Sequence, residues 1–127
     1  MKIFSVLIGG ALGTLVRYVL AGATHRIYAG TFPLGTLMVN LAGSLVIGFM
    51  WGLWEEAPIS PNLRTFVFIG LLGGFTTFSS FSLETLNLFR DGEIKIALLN
   101  ITVTNVLGIL LAFSGFFTAR GMIQFFR

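Results

Sequence analysis

The chain has 127 residues, of which 55% are hydrophobic and only 10% are charged. An ordinary globular domain carries about 25% charged residues, so the composition indicates an all-α integral membrane protein with almost no soluble mass. The formal net charge of +3 argues against nucleic-acid binding, and the absence of cysteine excludes disulfides and thiolate chemistry. Because one helical crossing takes about 20 apolar residues, we expect a single transmembrane domain, residues 1–127, with helices over residues 3–23, 34–54, 63–89 and 94–119.

The first predicted helix has small residues on one side. Gly9 and Gly13 are four positions apart and let another helix approach closely. Arg17 follows one turn later on the same face, where a charge is tolerated if it faces protein or reaches the interface. Lys2 before an apolar run also fits a cleavable signal peptide, but Arg17 interrupts that pattern and three further spans follow. We therefore expect a helix that is retained.

The second predicted helix has a face of polar and small residues. Asn40 and Ser44 lie one turn apart, with Gly43 beside them. Such residues commonly join membrane helices by hydrogen bonds, and Asn40 also offers amide donors to an ion pathway. Both interpretations of Asn40 stay open. His25, in the polar connection before this helix, is interpreted as a solvated surface residue without a functional role.

The third predicted helix contains the least ordinary stretch of the chain, residues 73–82, with the sequence GGFTTFSSFS. Two adjacent glycines weaken a helix, so we expect this helix to be broken near its middle. Lipid offers exposed backbone groups no hydrogen-bond partners, so a break at this depth must be surrounded by protein or line a polar cavity. Transporters bind their ions at such interruptions.

An interrupted helix frees carbonyl oxygens just before the break and amide donors just after it. The carbonyls of Gly73 and Thr76 are oxygen ligands suited to a bare cation such as Na⁺. A two-fold axis passing there would double the number of ligands and give a closed structural site.

The residues after the break suggest a route for an anion. By helical spacing, Thr77, Phe81 and Glu84 project along one side, with Phe78 beside them. An aromatic ring is positive at its edge, so ring edges together with amide and hydroxyl donors could replace part of an anion's water shell. Simpler interpretations stay open: packing for the phenylalanines, back-bonding for the serines, and for Glu84 a partly buried carboxyl paired with Arg17.

The fourth predicted helix has a polar side. Its hydrogen-bonding residues are Asn100, Thr102, Thr104 and Asn105. Four such side chains within six residues are many for a helix exposed to lipid, so this side is expected to face protein or a polar route.

The basic residues set no orientation in the membrane. With four spans, one side receives Lys2, Arg64, Arg120 and Arg127, and the other receives Arg26, Arg90 and Lys95, joined by Arg17 if its side chain reaches that interface. Orientation follows the Lys/Arg bias of short loops, and a bias of one or zero gives none. A chain that inserts both ways can pair with an inverted copy. An antiparallel, dual-topology homodimer would also cover polar faces that one four-helix unit leaves to lipid.

Three motifs resemble a known family. Residues 73–82, followed by Glu84 and Thr85, are similar to the third-helix signature of the Fluc (CrcB-type) fluoride channels. The strings GTL at residues 35–37 and NLAG at residues 40–43 resemble its second-helix motif, and the glycines and arginine of residues 9–17 resemble its first helix. The match extends over the whole chain in length, number of spans and order of motifs.

The resemblance implies an antiparallel homodimer in the inner membrane with two fluoride pathways and one central Na⁺, which lets cytoplasmic fluoride leave passively. By this likeness, Gly73 and Thr76 would give backbone carbonyls to Na⁺, and Phe78 and Phe81 would present their ring edges to fluoride. The remaining residues implied for the route are Asn40, Ser80, Glu84, Thr36 and Asn105, with Arg17 at the vestibule. Asn105 departs from the pattern, since Ser or His is expected at that position.

Two other functions fit a chain of this size. A small multidrug-type antiporter is also a four-span antiparallel dimer, but it needs a membrane carboxylate in its first helix, where this chain has Arg17 and no acid. A non-conducting membrane assembly subunit would explain the glycine faces but not the hydroxyl cluster beside a break. An enzyme is not expected, because the sequence offers no plausible pair of nucleophile and base.

Overall fold

The computed structural model describes residues 2–55, 57 and 59–126. Within these residues every regular element is helical, and four helical spans are long and apolar enough to cross a membrane. The prediction of an all-α membrane protein with four spans is therefore confirmed. Arg127, one of the charges counted above, lies outside the described residues.

The four spans comprise five helical segments, numbered in chain order. They are α1 (Lys2–Ile27), α2 (Leu34–Trp54), α3 (residues 61–75), α4 (Phe78–Arg90) and α5 (Ile94–Phe125), with α3 and α4 together forming the third span. Helix α1 ends at Ile27 rather than at residue 23, and α5 ends at Phe125 rather than at residue 119. The last turn of α1 contains His25 and Arg26, and basic residues are favourable at the negative end of a helix dipole.

Helix α3 changes its winding along its length. It begins at Pro61, and the hydroxyl of the preceding Ser60 accepts a hydrogen bond from the N–H of Leu63 at 3.2 Å. The segment Thr65–Leu72 is a π-helix, and α-helical winding returns only for Gly73–Phe75. Such π-helical segments are rare and occur frequently at functional sites.

The third span is broken, as predicted, but the break lies after the two glycines. Gly73 has helical backbone angles (φ −64°, ψ −37°), and Gly74 also lies within a helical turn. The chain leaves the helix at Thr76 (ψ 155°) and Thr77 (φ −148°, ψ 111°). The expectation that the glycines themselves form the break was wrong. Gly74 instead permits contact with α1, because a Cβ there would lie 2.6 Å from the carbonyl oxygen of Gly10.

Helix α1 packs closely against α3. A Cβ at Gly9 would lie 2.6 Å from the carbonyl oxygen of Phe66, and a Cβ at Gly13 would overlap the carbonyl oxygen of Leu71. The predicted role of these two glycines in admitting a neighbouring helix is confirmed.

Helix α2 packs chiefly against α5 through glycines on both helices. A Cβ at Gly48 would overlap the carbonyl group of Ala112, and a Cβ at Gly115 would overlap the carbonyl oxygen of Leu45. Small residues at such contacts let the backbones approach closely, and close packing is a main source of helix association in lipid. The α2–α5 pair therefore sets the position of the α2 residues that face the break.

Gly48→Ala is expected to destabilise the protein, because the added methyl meets backbone atoms of α5, which cannot rotate away. Overpacking of this kind costs about 1–3 kcal/mol, which corresponds to a fall in Tm of roughly 3 °C or more. The measurement is thermal unfolding in detergent. Gly121→Ala on α5 is the matched control, since nothing lies within 4 Å of its added methyl. Equal Tm values for the two variants would contradict the close contact.

Candidate functional site

One side chain of α2 bridges the break in the third span. Asn40 Nδ2 donates a hydrogen bond to the carbonyl oxygen of Thr77 at 3.0 Å, and the N–H of Thr77 donates to Asn40 Oδ1 at 2.8 Å. The amide group thus satisfies both backbone groups of an extended residue that is only 7% exposed. In a continuous helix the N–H of Thr77 would bond to the carbonyl of Gly73. The contact with Asn40 therefore leaves that carbonyl without its helical donor.

Thr77 also begins helix α4. Its hydroxyl accepts a hydrogen bond from the N–H of Ser80 at 3.2 Å and donates to Ser80 Oγ at 3.0 Å. This is the usual contact of a helix N-cap. Ser79 Oγ lies 3.4 Å from the same hydroxyl. Ser82 instead donates to the carbonyl of Phe78 at 2.9 Å, which is the back-bonding weighed above for these serines.

A cavity of about 280 Å³ lies beside the break, and we call it the inner cavity. It is lined by Asn40, Gly43, Ser44 and Ile47 of α2, by Leu72 of α3, by Thr76 and Thr77 at the break, by Phe78 and Phe81 of α4, and by Thr104 and Asn105 of α5. Both phenylalanines and both asparagines implied by the resemblance therefore lie around one space. None of these described lining residues carries a charge.

The two phenylalanines differ in their surroundings. Phe81 is 6% exposed, whereas Phe78 is 75% exposed on the single chain. Their ring centroids are 5.5 Å apart and the ring planes are inclined by 48°. The pair is therefore tilted rather than stacked, and Phe78 projects beyond the surface of the protomer.

A second cavity of about 310 Å³, here called the vestibule, shares Thr77 with the inner cavity. Its polar lining residues are Arg17, Tyr18 and His25 of α1, Thr36 of α2, Thr77, and Ser80 and Glu84 of α4. The residues implied for an anion route thus form two groups, one around each cavity. Thr77 is the residue that the two groups have in common.

Glu84 is held from one side only. Its Oε1 accepts a hydrogen bond from the hydroxyl of Thr36 at 2.6 Å. Its Oε2 is buried and has no hydrogen-bond partner among the described residues. Among the residues that the structure describes, no ion pair joins Glu84 to Arg17, although both line the vestibule. The pairing weighed for these two residues is therefore not found.

A buried polar chain connects α4 with α5. Asn100 is 1% exposed, and its Nδ2 donates to Thr85 Oγ1 at 3.0 Å. The hydroxyl of Thr85 donates to the carbonyl of Phe81 at 2.8 Å, and that of Thr104 donates to Asn100 Oδ1 at 3.2 Å. The polar side predicted for the fourth helix therefore serves two purposes, since Asn100 fastens α5 to α4 while Thr104 reaches the inner cavity.

The side chains of Asn105 and Thr102 donate hydrogen bonds to their own helix. Asn105 lines the inner cavity, but its Nδ2 donates to the carbonyl of Ile101 on its own helix at 2.7 Å. Thr102 donates to the carbonyl of Leu98 in the same way at 2.9 Å. Their side-chain donors are thus directed to the α5 backbone.

Thr77 and His25 belong to the site in ways that the sequence did not suggest. Thr77 was placed on a helical stripe with Phe81 and Glu84, yet it lies in extended backbone between the two cavities. Its preference for the N-cap position was a signal that could have placed it there. His25 was interpreted as a surface residue of a connection, but it lies within α1 and lines the vestibule. No sequence signal marks it, because the cavity forms only in the folded chain.

The backbone at the end of α3 offers oxygen ligands. Both the N–H and the hydroxyl of Thr76 donate to the carbonyl of Leu72, at 3.0 Å and 2.9 Å. The ψ of 155° turns the carbonyl of Thr76 itself out of the helical ladder, and the carbonyl of Gly73 has lost its helical donor to Asn40. Within the described residues no group of three or more His, Cys, Asp or Glu side chains could hold a metal ion. The oxygen atoms that the break leaves without helical donors are backbone carbonyls.

Known proteins resemble this chain over nearly its whole length. The family model described as CrcB-like protein, Camphor Resistance (CrcB), matches residues 4–116. A protein of Parabacteroides distasonis named fluoride-specific ion channel FluC is 43% identical over 127 residues, which cover 100% of this chain and 99% of that relative. Proteins of the same name from Pyrococcus horikoshii and Aquifex aeolicus are 46% and 39% identical over 121 residues, which cover 94% of this chain in each case. The alignments cover 97% and 98% of those two relatives.

These matches confirm the resemblance inferred from the motifs of the first three helices. They extend through the glycine contacts, the break in the third span and the polar part of α5. At this identity and coverage, the chain belongs to the CrcB family.

Proposed function

We propose that this chain is a fluoride-selective channel that lets cytoplasmic fluoride leave the cell passively across the inner membrane. Full-length relatives are named as fluoride-specific ion channels, and the chain itself is a multi-pass membrane protein. The observation that carries the proposal is the break at Thr77, held open by Asn40 between two cavities. A channel moves its ion without making or breaking covalent bonds, so no residue is given a catalytic role.

The two cavities differ in a way that suits anion conduction. The vestibule contains charged groups, and the guanidinium of Arg17 gives an arriving anion a positive partner there. The inner cavity is lined by neutral groups, among them the Asn40 amide, the Ser44 hydroxyl and the rings of Phe78 and Phe81. Positive ring edges and neutral donors replace part of the anion's hydration without a full charge to trap it. An ion must bind strongly enough to enter and weakly enough to leave.

An inverted second copy would complete these surfaces. Phe78 and Gly73 are exposed on the single chain, and the inner cavity opens beside an apolar groove of about 700 Å³ that shares Ile47 with it. Lipid cannot satisfy the polar groups of the inner cavity, whereas protein can. The near balance of basic residues on the two sides favours insertion in both orientations. In such an antiparallel homodimer each copy contributes the same cavities, which gives two pathways.

A structural Na⁺ fits the two-fold axis of this dimer. Hard cations take several oxygen ligands, and one chain offers two carbonyls, those of Gly73 and Thr76. The same pair from the inverted copy would double the set. When bound, the ion would compensate the facing carbonyl dipoles and hold the two breaks together. The antiporter alternative gains no support, because α1 contains no carboxylate.

Liposomes that contain the purified protein are expected to lose fluoride rapidly and to retain chloride. Fluoride is smaller than chloride and a stronger hydrogen-bond acceptor, so it gains more from close amide donors and ring edges in the inner cavity. Ion-selective electrodes measure both effluxes, and liposomes without protein give the background. Chloride efflux as fast as that of fluoride would overturn the proposed selectivity.

Phe81→Ile and Phe78→Ile are each expected to lower fluoride efflux about tenfold or more, because isoleucine keeps apolar bulk but has no positive ring edge. The measurement is fluoride efflux from liposomes at equal protein density. Phe117→Ile is the matched control, since Phe117 is exposed and does not line the inner cavity. Efflux at the wild-type rate in both variants would remove the phenylalanines from the mechanism.

Asn40→Ala is expected to lower both stability and fluoride efflux, because it leaves the N–H and the carbonyl of the buried Thr77 without partners. The loss is about 1–3 kcal/mol for each unsatisfied group. A wild-type Tm for Asn40→Ala would show that the amide does not support the break.

A further inference from the structure

His25 lies near the end of the helix that forms one wall of the vestibule. It is exposed, it belongs to the last turn of α1, and it lines the same cavity as Arg17 and Glu84. Arg17 precedes it by eight residues on α1, which places the two about 12 Å apart along the helix axis. His25 is therefore the nearer of the two to the end of the span, where an ion arriving from water would first meet the vestibule.

The charge of the vestibule depends on few groups. From α1 it receives the guanidinium of Arg17, the phenol of Tyr18 and the imidazole of His25, and from α4 the carboxyl of Glu84. Helix α2 contributes only uncharged residues to its lining. Arg26, the neighbour of His25, does not line the vestibule.

The protonation of one imidazole changes the net charge of the vestibule. With Glu84 ionised and His25 neutral, the positive charge of Arg17 and the negative charge of Glu84 offset each other. With His25 protonated, one net positive charge remains. Among side chains, histidine is the one whose charge most commonly changes between pH 5 and 8.

We propose that His25 is the entrance residue of the fluoride route and that its protonation raises conduction. This inference rests on the proposed function of the chain as a fluoride channel. A positive imidazolium at the mouth raises the local concentration of fluoride without standing in the inner cavity, where a fixed charge would hold the ion. Its effect is moderate, because salt screens an exposed charge over about 8 Å. A two- to threefold change in conduction, roughly, is expected for one such charge.

The test is the fluoride current carried by the purified full-length protein in a planar bilayer with the same solution on both sides. Current is the right readout because hydrogen fluoride is uncharged, so its diffusion through lipid is not recorded. Between about pH 8 and about pH 5.5, the wild-type current is expected to rise roughly two- to threefold. The fluoride current of His25→Gln is expected to equal the wild-type current at high pH over the whole range. The current of His25→Lys is expected to equal the wild-type current at low pH over the same range.

Arg26→Gln is the matched control, because it removes an adjacent positive charge that does not line the vestibule. This variant is expected to keep the pH dependence of the wild type. A wild-type current that does not change over this range overturns the role of His25. A current that still depends on pH in the His25→Gln variant also overturns the role of His25, because the dependence would then come from Glu84. Neither outcome affects the proposed channel function, which is overturned instead if the wild-type protein carries no fluoride current at any pH.

Discussion

Two hydrogen bonds between the Asn40 amide and the backbone of Thr77 allow the third span to be interrupted inside a membrane. In lipid an unpaired N–H or carbonyl costs several kcal/mol, so an extended residue at this depth requires a partner with one donor and one acceptor. An amide side chain provides both at once. The rest of the site depends on this pairing, because it fixes where α4 begins and hence where Ser80, Phe81 and Glu84 lie.

Because of this pairing, the two halves of the third span present different polar groups. Before the break, the backbone at Gly73 and Thr76 has carbonyl oxygens released from the helical ladder. After the break, the N–H of Thr77 is bonded to Asn40 and the N–H of Ser80 is bonded to the hydroxyl of Thr77. Side chains that line the two cavities add further polar groups beside the break. Helix α2 supports both halves, and the glycine contact at Gly48 keeps it against α5.

The number of spans and the presence of a break could be predicted from the sequence, because both depend on local composition. The position of the break could not. Gly73 and Gly74 look like the weak point, yet Gly74 is used for contact with α1, and the true cause is Asn40 on another helix. The pairing is a contact between residues far apart in the chain, and a local sequence pattern does not predict it.

The site was predictable to a similar extent. The residues implied by the motif resemblance do line the cavities beside the break. Which cavity each residue lines depends on how the helices are rotated. Asn100 and Asn105 show this, since both stand in the polar part of one helix while one is buried and the other exposed. His25 reaches the vestibule because α1 continues past its predicted end. Helix rotation and helix length are tertiary properties that the sequence pattern does not contain.

The π-helical segment Thr65–Leu72 lies where α1 packs against α3. Gly9 of α1 meets Phe66, Gly70 and Leu71, and Gly13 meets Leu71 and Phe75. A π turn bonds residues five apart instead of four apart, so it contains about one residue more than an α turn. Deleting one residue here and restoring α winding would therefore leave the break beyond it facing nearly the same way relative to α1. The π-helical segment is thus a place in the third span where the chain length can change by one residue without rotating the break.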